Sequence, residues 1–107
     1  MIHVVIERSG DKVLGFESKG HAEAGEYGYD IVCSAVSVLT INTANAIESL
    51  TEARFSVDQV EEGGFLKVML GDGEDHDAQV LMKALVMGLE QIAENYPDNV
   101  RIRVREV

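Results

Sequence analysis

One thiol and one imidazole lie close together in the first third of the chain, and together these side chains can perform covalent catalysis. Cys33 is the only cysteine, and His21 precedes it by twelve residues. A thiolate is a strong nucleophile, and a nearby imidazole can stabilise it and later protonate a leaving amine. The pair therefore indicates a thiol hydrolase. The spacing has little specificity by itself, because a lone cysteine in a helix is often a buried apolar side chain.

The segment around these residues changes from a loop to a helix. Three glycines within nine residues predict a loop over residues 19–29, poorly ordered in the absence of substrate. The apolar run that follows predicts a helix over residues 30–50, with Cys33 in its first turn. There the positive end of the helix dipole would stabilise a thiolate, and backbone amides, including that of Cys33, would be free to bind an oxyanion.

Asp30 has two interpretations. As the helix N-cap, its carboxylate would accept a hydrogen bond from the amide of Val32 or Cys33, which is a structural role. As a third catalytic group it would orient the imidazole of His21. The residues alone favour the cap and leave the second role open.

The rest of the chain predicts one α/β domain over residues 1–107. Alternating apolar residues and turn residues predict strands over residues 2–8, 13–16, 53–61, 65–70 and 100–104. A second helix is predicted over residues 74–96, before Pro97. The order is ββαββαβ, which indicates two layers, with two helices packed on a mostly antiparallel five-stranded sheet.

The first helix is unusual because residues 31–47 carry no charge. Its apolar face is predicted to comprise Ile31, Ala35, Val38, Leu39, Ala46 and Leu50. A helix that faces water normally shows charges on that side. We therefore expect cover on both sides, from the sheet on one and from a second helix or another subunit on the other. The run is too short and too polar to predict a membrane span.

Overall charge and cysteine usage restrict the partners. The chain has nine Lys and Arg and nineteen Asp and Glu, which gives a net charge of −10. This negative charge predicts no direct contact with nucleic acid or anionic membranes. A single free thiol and the lack of a signal-peptide pattern at the N-terminus predict a cytoplasmic protein. The acidic run at residues 72–77 lacks the pattern of a calcium loop, so no metal or cofactor is predicted.

The segment G-H-A-x(5)-G-x-D-I-V-C-S-A-V-S, residues 20–37, resembles the motif of the ribosomal-processing cysteine protease family, Prp. The length and the element order also fit that family. By this resemblance Cys33 corresponds to the nucleophile, His21 to its base, and Asp30 to the aspartate of the motif. The small residue after the nucleophile is Ser34, where alanine is more usual.

The resemblance also assigns residues that bind substrate. Ser37 corresponds to a motif serine that helps to hold the substrate, and Gly20 and Gly28 to glycines that bound a mobile loop over the active site. It implies a homodimeric cysteine endopeptidase, without a cofactor, that removes the N-terminal extension of a large-subunit ribosomal protein. The alternatives are a non-catalytic binding module for ribosome assembly and a redox-sensing thiol protein.

Overall fold

The computed structural model describes residues 1–20, 27–60 and 64–107, with the backbone alone at residues 27–30. Its elements, in chain order, are β1 (Ile2–Ser9), β2 (Lys12–Lys19), α1 (Tyr27–Leu50), β3 (Phe55–Gln59), β4 (Phe65–Leu70), α2 (His76–Asn95) and β5 (Val100–Glu106). The predicted ββαββαβ order and the two-layer α/β class are confirmed.

The five strands form one sheet in the order β3-β4-β2-β1-β5. Neighbouring strands are antiparallel except β1 and β5, which run parallel from the pairing of Ile2 with Val100. The sheet is therefore mixed but mostly antiparallel, as predicted. β3 and β5 are its two edge strands.

The hydrophobic core lies between the sheet and the two helices. Alternate residues of β1, namely Ile2, Val4 and Ile6, are buried there with Phe16 of β2. The residues between them point to the other face, on which neither α1 nor α2 packs. The fold therefore has one helical layer and one sheet layer, and the described helices cover only one face of the sheet.

The apolar face predicted for α1 is wrong in its rotation about the helix axis. Ile31, Val38 and Leu50 are 47%, 66% and 69% exposed, whereas the buried side comprises Val32, Val36, Thr40, Thr43, Ala44 and Ile47. The threonines can be buried because each hydroxyl donates to a carbonyl one turn earlier, at 2.8 Å for Thr40 and 2.7 Å for Thr43.

The length and composition of α1 also match a membrane span over Ile31–Leu50, with a mean hydropathy of 1.4. A core helix satisfies the same criterion. One side of α1 packs on the sheet here, and Leu39 contacts Gly88 of α2 across the helix–helix interface.

The start of α1 differs from the prediction by about one turn. The helix begins at Tyr27 rather than near Asp30, and β2 continues to Lys19. The predicted loop over residues 19–29 is therefore shorter at both ends. Its predicted disorder concerns residues 21–26, which lie outside the described residues.

α2 is fixed to the sheet by its first turn. Asp75 is the N-cap and accepts a hydrogen bond of 2.8 Å from the amide of Ala78. The buried side-chain amide of Gln79 pairs with the backbone of Val13, accepting from its N–H and donating to its carbonyl, both at 2.9 Å. The side chain of Gln79 thus pairs with the backbone of β2 beside a β-bulge, where the register of β2 against β1 shifts between Glu7 and Arg8.

Candidate active site

Cys33 lies in the second turn of α1, not the first. It is the seventh residue of the helix, half-buried, and its side chain packs against the core. In a regular helix its amide donates to the carbonyl of residue 29, so the expectation that this amide serves an oxyanion is wrong. Cys33 also lies about 9 Å along the axis from the helix start, where the dipole contributes little.

The other two residues of the predicted catalytic group are described only in part. His21 lies outside the described residues, so its geometry relative to Cys33 stays a prediction. The backbone of Asp30 lies within α1, three residues after its first residue. Asp30 is therefore not the N-cap, because a cap residue precedes the first helical residue. Its orienting role stays a prediction.

Gly20 lies where β2 ends, directly before His21. Its φ of +114° is in the region that favours glycine, and a Cβ there would collide with the carbonyl oxygen of Met1. Its amide donates to the carbonyl of Gly64 at 2.8 Å. Two neighbouring backbone segments thus fix the chain where it leaves β2. Gly28, predicted to bound the same loop, lies inside α1.

A groove runs along α1 on the side that faces β3 and β4, and we call it the α1–β3 groove. It consists of two depressions, of about 90 and 250 Å³, that share Ile41, Gln59 and Leu66. The first is also lined by Ser18, Gly20, Ser37, Thr40, Gly64 and Phe65, and the second by Ala44, Asn45, Glu48, Phe55 and Val57. Ser37, predicted to hold substrate, therefore lies in the groove with Gly20.

Helical spacing connects Cys33 to this groove. Ser37 and Ile41 follow Cys33 by one and two turns, so the three residues share one side of α1. Cys33 therefore precedes the groove along the helix. Ile41 is not predicted as a site residue, although its i+8 spacing from Cys33 is a sequence signal for it. Phe55 and Leu66 have no such signal, because only the sheet order brings them to the groove.

The groove can accommodate an extended peptide. Its walls combine apolar side chains, such as Ile41 and Leu66, with polar ones, such as Ser37 and Gln59. β3 is an edge strand whose outer backbone groups can pair with an added strand. The hydroxyl of Thr40 donates to the helix backbone. Ser37 is exposed, and its hydroxyl makes no hydrogen bond within the described part of the chain. Ser37 can therefore serve a ligand.

The acidic run at residues 72–77 has a structural role. Asp72 accepts from the amide of Glu74 at 3.0 Å, Asp75 caps α2, and Glu74 pairs with Lys12 at 3.1 Å. Among the described residues, no three His, Cys, Asp or Glu side chains lie close enough together to hold a metal ion.

Comparison with known proteins agrees with this architecture. Residues 1–101 match the family model of the cysteine protease Prp. The ribosomal processing cysteine protease Prp of Bacillus subtilis (strain 168) is 35% identical over 107 aligned positions, covering 95% of this chain and 96% of the relative. That of Staphylococcus aureus (strain Mu50) is 33% identical over 94, covering 88% and 89%.

Solved structures show the same fold. The S. aureus ribosomal processing protease Prp in complex with a substrate peptide superposes with a TM-score of 0.90 at 32% identity, covering 98% of this chain and all of the other. SMU.848 from Streptococcus mutans gives a TM-score of 0.84 at 34% identity, covering 100% and 99%. With a family match over nearly its whole length and relatives that agree in both sequence and fold, this chain belongs to the cysteine protease Prp family.

Proposed function

We propose that this protein is a cytoplasmic cysteine endopeptidase that removes the N-terminal extension of a large-subunit ribosomal protein during ribosome maturation, without a cofactor. Membership of the Prp family supports the class of reaction. The ribosomal role is supported by relatives named ribosomal processing cysteine proteases, and the peptide substrate by the S. aureus structure with a bound substrate peptide.

The observation that carries the proposal is the position of Cys33 beside the α1–β3 groove. Cys33 shares one side of α1 with Ser37 and Ile41, which line the groove. An extended peptide in the groove would pass along this side of the helix and bring a peptide bond to the thiol. Ser37 would bind the peptide backbone, and the apolar side chains of the walls, such as Ile41 and Leu66, would bind apolar side chains of the peptide.

In this proposal His21 supplies most of the activation of the thiol. The second-turn position of Cys33 weakens the contribution of the helix dipole, because that effect is confined to the first turn. An imidazolium beside the sulfur stabilises the thiolate directly. The thiolate attacks the scissile carbonyl, His21 protonates the leaving amine, and water then hydrolyses the acyl-enzyme.

The direct test uses a peptide that spans the extension junction of the ribosomal protein from the same proteome. The unmodified enzyme should cleave it, and Cys33→Ala should not, because alanine offers no nucleophile. Cys33→Ser should be almost inactive, since a hydroxyl is a far weaker nucleophile at neutral pH. Ser34→Ala is the matched control, because it changes the exposed residue next to Cys33. This variant should cleave the peptide at the rate of the unmodified enzyme.

Measurable turnover by Cys33→Ala would rule out Cys33 as the nucleophile. Peptide binding without cleavage by the unmodified protein would instead favour a binding module. Reversible oxidation of Cys33 that changes partner binding, with no proteolysis, would favour a redox sensor. Mass spectrometry of the peptide and of the protein distinguishes the three.

A further inference from the structure

The outer face of the sheet, on which neither α1 nor α2 packs, carries a row of arginines along β5. Val100 is buried and Ile102 half-buried on the helical side, and the residues between and after them are exposed. Arg101, Arg103 and Arg105 therefore point to the outer face at every second position, about 6.7 Å apart. The register of β5 with β1 places His3 beside Arg101.

The positive row extends across the sheet. Strand pairing places Lys19 of β2 opposite His3, and Lys67 of β4 opposite Glu17. This bare basic face holds five of the nine Lys and Arg side chains but only three of the fourteen carboxylates in the described side chains: Glu7, Glu17 and Asp58. Most of the described acidic side chains therefore lie elsewhere, and the net charge conceals a positive surface.

Most of these cations have no partner within the part of the chain that the structure describes. Arg105 pairs with Glu7 at 3.0 Å. Within the described ranges, the guanidinium groups of Arg101 and Arg103 and the ammonium of Lys19 form no hydrogen bond or ion pair. Arg101, Arg103 and Lys19 surround a shallow depression of about 520 Å³, together with His3 and Glu17. Their donors are available to an external anion.

We propose that the bare basic face binds a single strand of RNA. A row of guanidinium groups along one strand suits a linear partner whose every unit is charged, and guanidinium binds phosphate through paired hydrogen bonds. The imidazole of His3, exposed beside the row, offers a ring on which a base can stack. An anionic membrane fits less well, because the apolar side chains that the described strands place on this face, Val5, Phe65 and Met69, are all half-buried and offer little to insert.

This inference rests on the proposed function, in which the substrate is a component of a particle rich in RNA. The α1–β3 groove lies in the helical layer, so a peptide in the groove and RNA on the outer face would not compete. The proposal departs from the prediction, drawn from net charge alone, that the protein makes no direct contact with nucleic acid. That prediction assumes that the charged side chains are distributed evenly over the protein surface.

The test measures binding of a fluorescein-labelled oligouridine of about 20 nucleotides by fluorescence anisotropy, at salt concentrations from about 50 to 200 mM. Arg101→Gln/Arg103→Gln removes two charges from the face. Arg54→Gln/Lys83→Gln removes two charges from exposed positions outside it and gives the same net charge. We expect the first pair to weaken binding about tenfold or more and the control pair by less than about twofold. The slope of log K against log salt should fall by about 1.4 in the first pair only.

Three outcomes would overturn the proposal: no binding by the unmodified protein at low salt, equal losses in the two pairs, or displacement of the RNA by polyglutamate at an equal concentration of charge. The last outcome would assign the face to acidic peptides. Cleavage of a free substrate peptide is measured in parallel and should be unchanged in Arg101→Gln/Arg103→Gln. RNA binding and peptide cleavage are measured in separate assays. A failure of the protease proposal can therefore be distinguished from a failure of the RNA-binding proposal.

Discussion

Gly20 is the residue whose backbone most constrains the entry to the candidate site. Its positive φ and its contact with Met1 are both incompatible with a side chain. We expect Gly20→Ala to lower the free energy of unfolding by about 2–4 kcal/mol, from backbone strain and from displacement of the N-terminal residues. Urea denaturation measures this loss.

Gly10→Ala is the matched control for that substitution. Gly10 also has a positive φ, of +61°, but no atom lies within 4 Å of the position of its Cβ. Gly10→Ala should lower the free energy of unfolding only by the backbone strain, about 1 kcal/mol. Equal losses in the two variants would show that the contact between Gly20 and Met1 contributes nothing.

The proposed partnership of His21 and Cys33 predicts a change in thiol reactivity. Without the imidazolium, His21→Ala should raise the pKa of the Cys33 thiol towards its usual value of about 8.5, so less thiolate exists at neutral pH. Alkylation by iodoacetamide at pH 7 should then slow by about tenfold. His76→Ala, at an exposed position on α2, is the control. An unchanged alkylation rate in His21→Ala would remove His21 from the proposed mechanism.

At the scale of secondary-structure elements, Gln79 joins α2 to β2. Gln79→Leu would leave the backbone N–H and carbonyl of Val13 without partners in a buried environment. We expect a loss of about 2–4 kcal/mol in the free energy of unfolding. Gln91→Leu, on an exposed position of the same helix, should change it by less than about 0.5 kcal/mol. Similar effects of the two substitutions would contradict the bridging role.

The strands could be predicted from the sequence, but the orientation of α1 could not. Alternation of apolar residues placed β1 and β4 within one residue of their observed bounds. Residues 31–47 of α1 offer no such contrast, because the exposed side of this stretch carries no charge, as its buried side carries none. Thr40 and Thr43 look polar in the sequence, yet their hydroxyls are satisfied by the helix itself. An uncharged stretch of sequence therefore predicts that a helix forms but not which side of the helix is buried.

The position of the candidate site along the chain could be predicted from the sequence, but its three-dimensional arrangement could not. The motif predicts Cys33 and Ser37 as site residues, and Ser37 lies in the groove. Their roles stay predictions. The start of α1 was misplaced because Asp30 is a preferred cap residue and Gly28 disfavours a helix, and the observed helix overrides both. The far wall of the groove depends on strand order, which local sequence does not specify.

At the scale of the whole molecule, we propose a homodimer formed through the exposed uncharged side of α1. Outside the α1–β3 groove, that side carries Val38, 66% exposed, beside Asn42. Asn42→Lys should weaken the dimer, because an unpaired charge would be buried in the interface; Asn45→Lys should do so as well but also adds a charge to the groove. Sedimentation velocity at micromolar concentration measures this, with Gln91→Lys as a control of equal charge. A monomer in the unmodified protein would contradict the proposal.

The parallel pairing of β1 with β5 affects how a newly made chain can fold. β1 forms a local hairpin with β2, but its other edge is completed only by β5, the last of the seven elements to be synthesised. Translation of the residues between Ile2 and Val100 takes on the order of ten seconds. Throughout that interval a strand destined for the sheet interior exposes unpaired backbone groups. Nascent chains on neighbouring ribosomes could pair through this edge, so β1 is the strand at which misassembly during synthesis would begin.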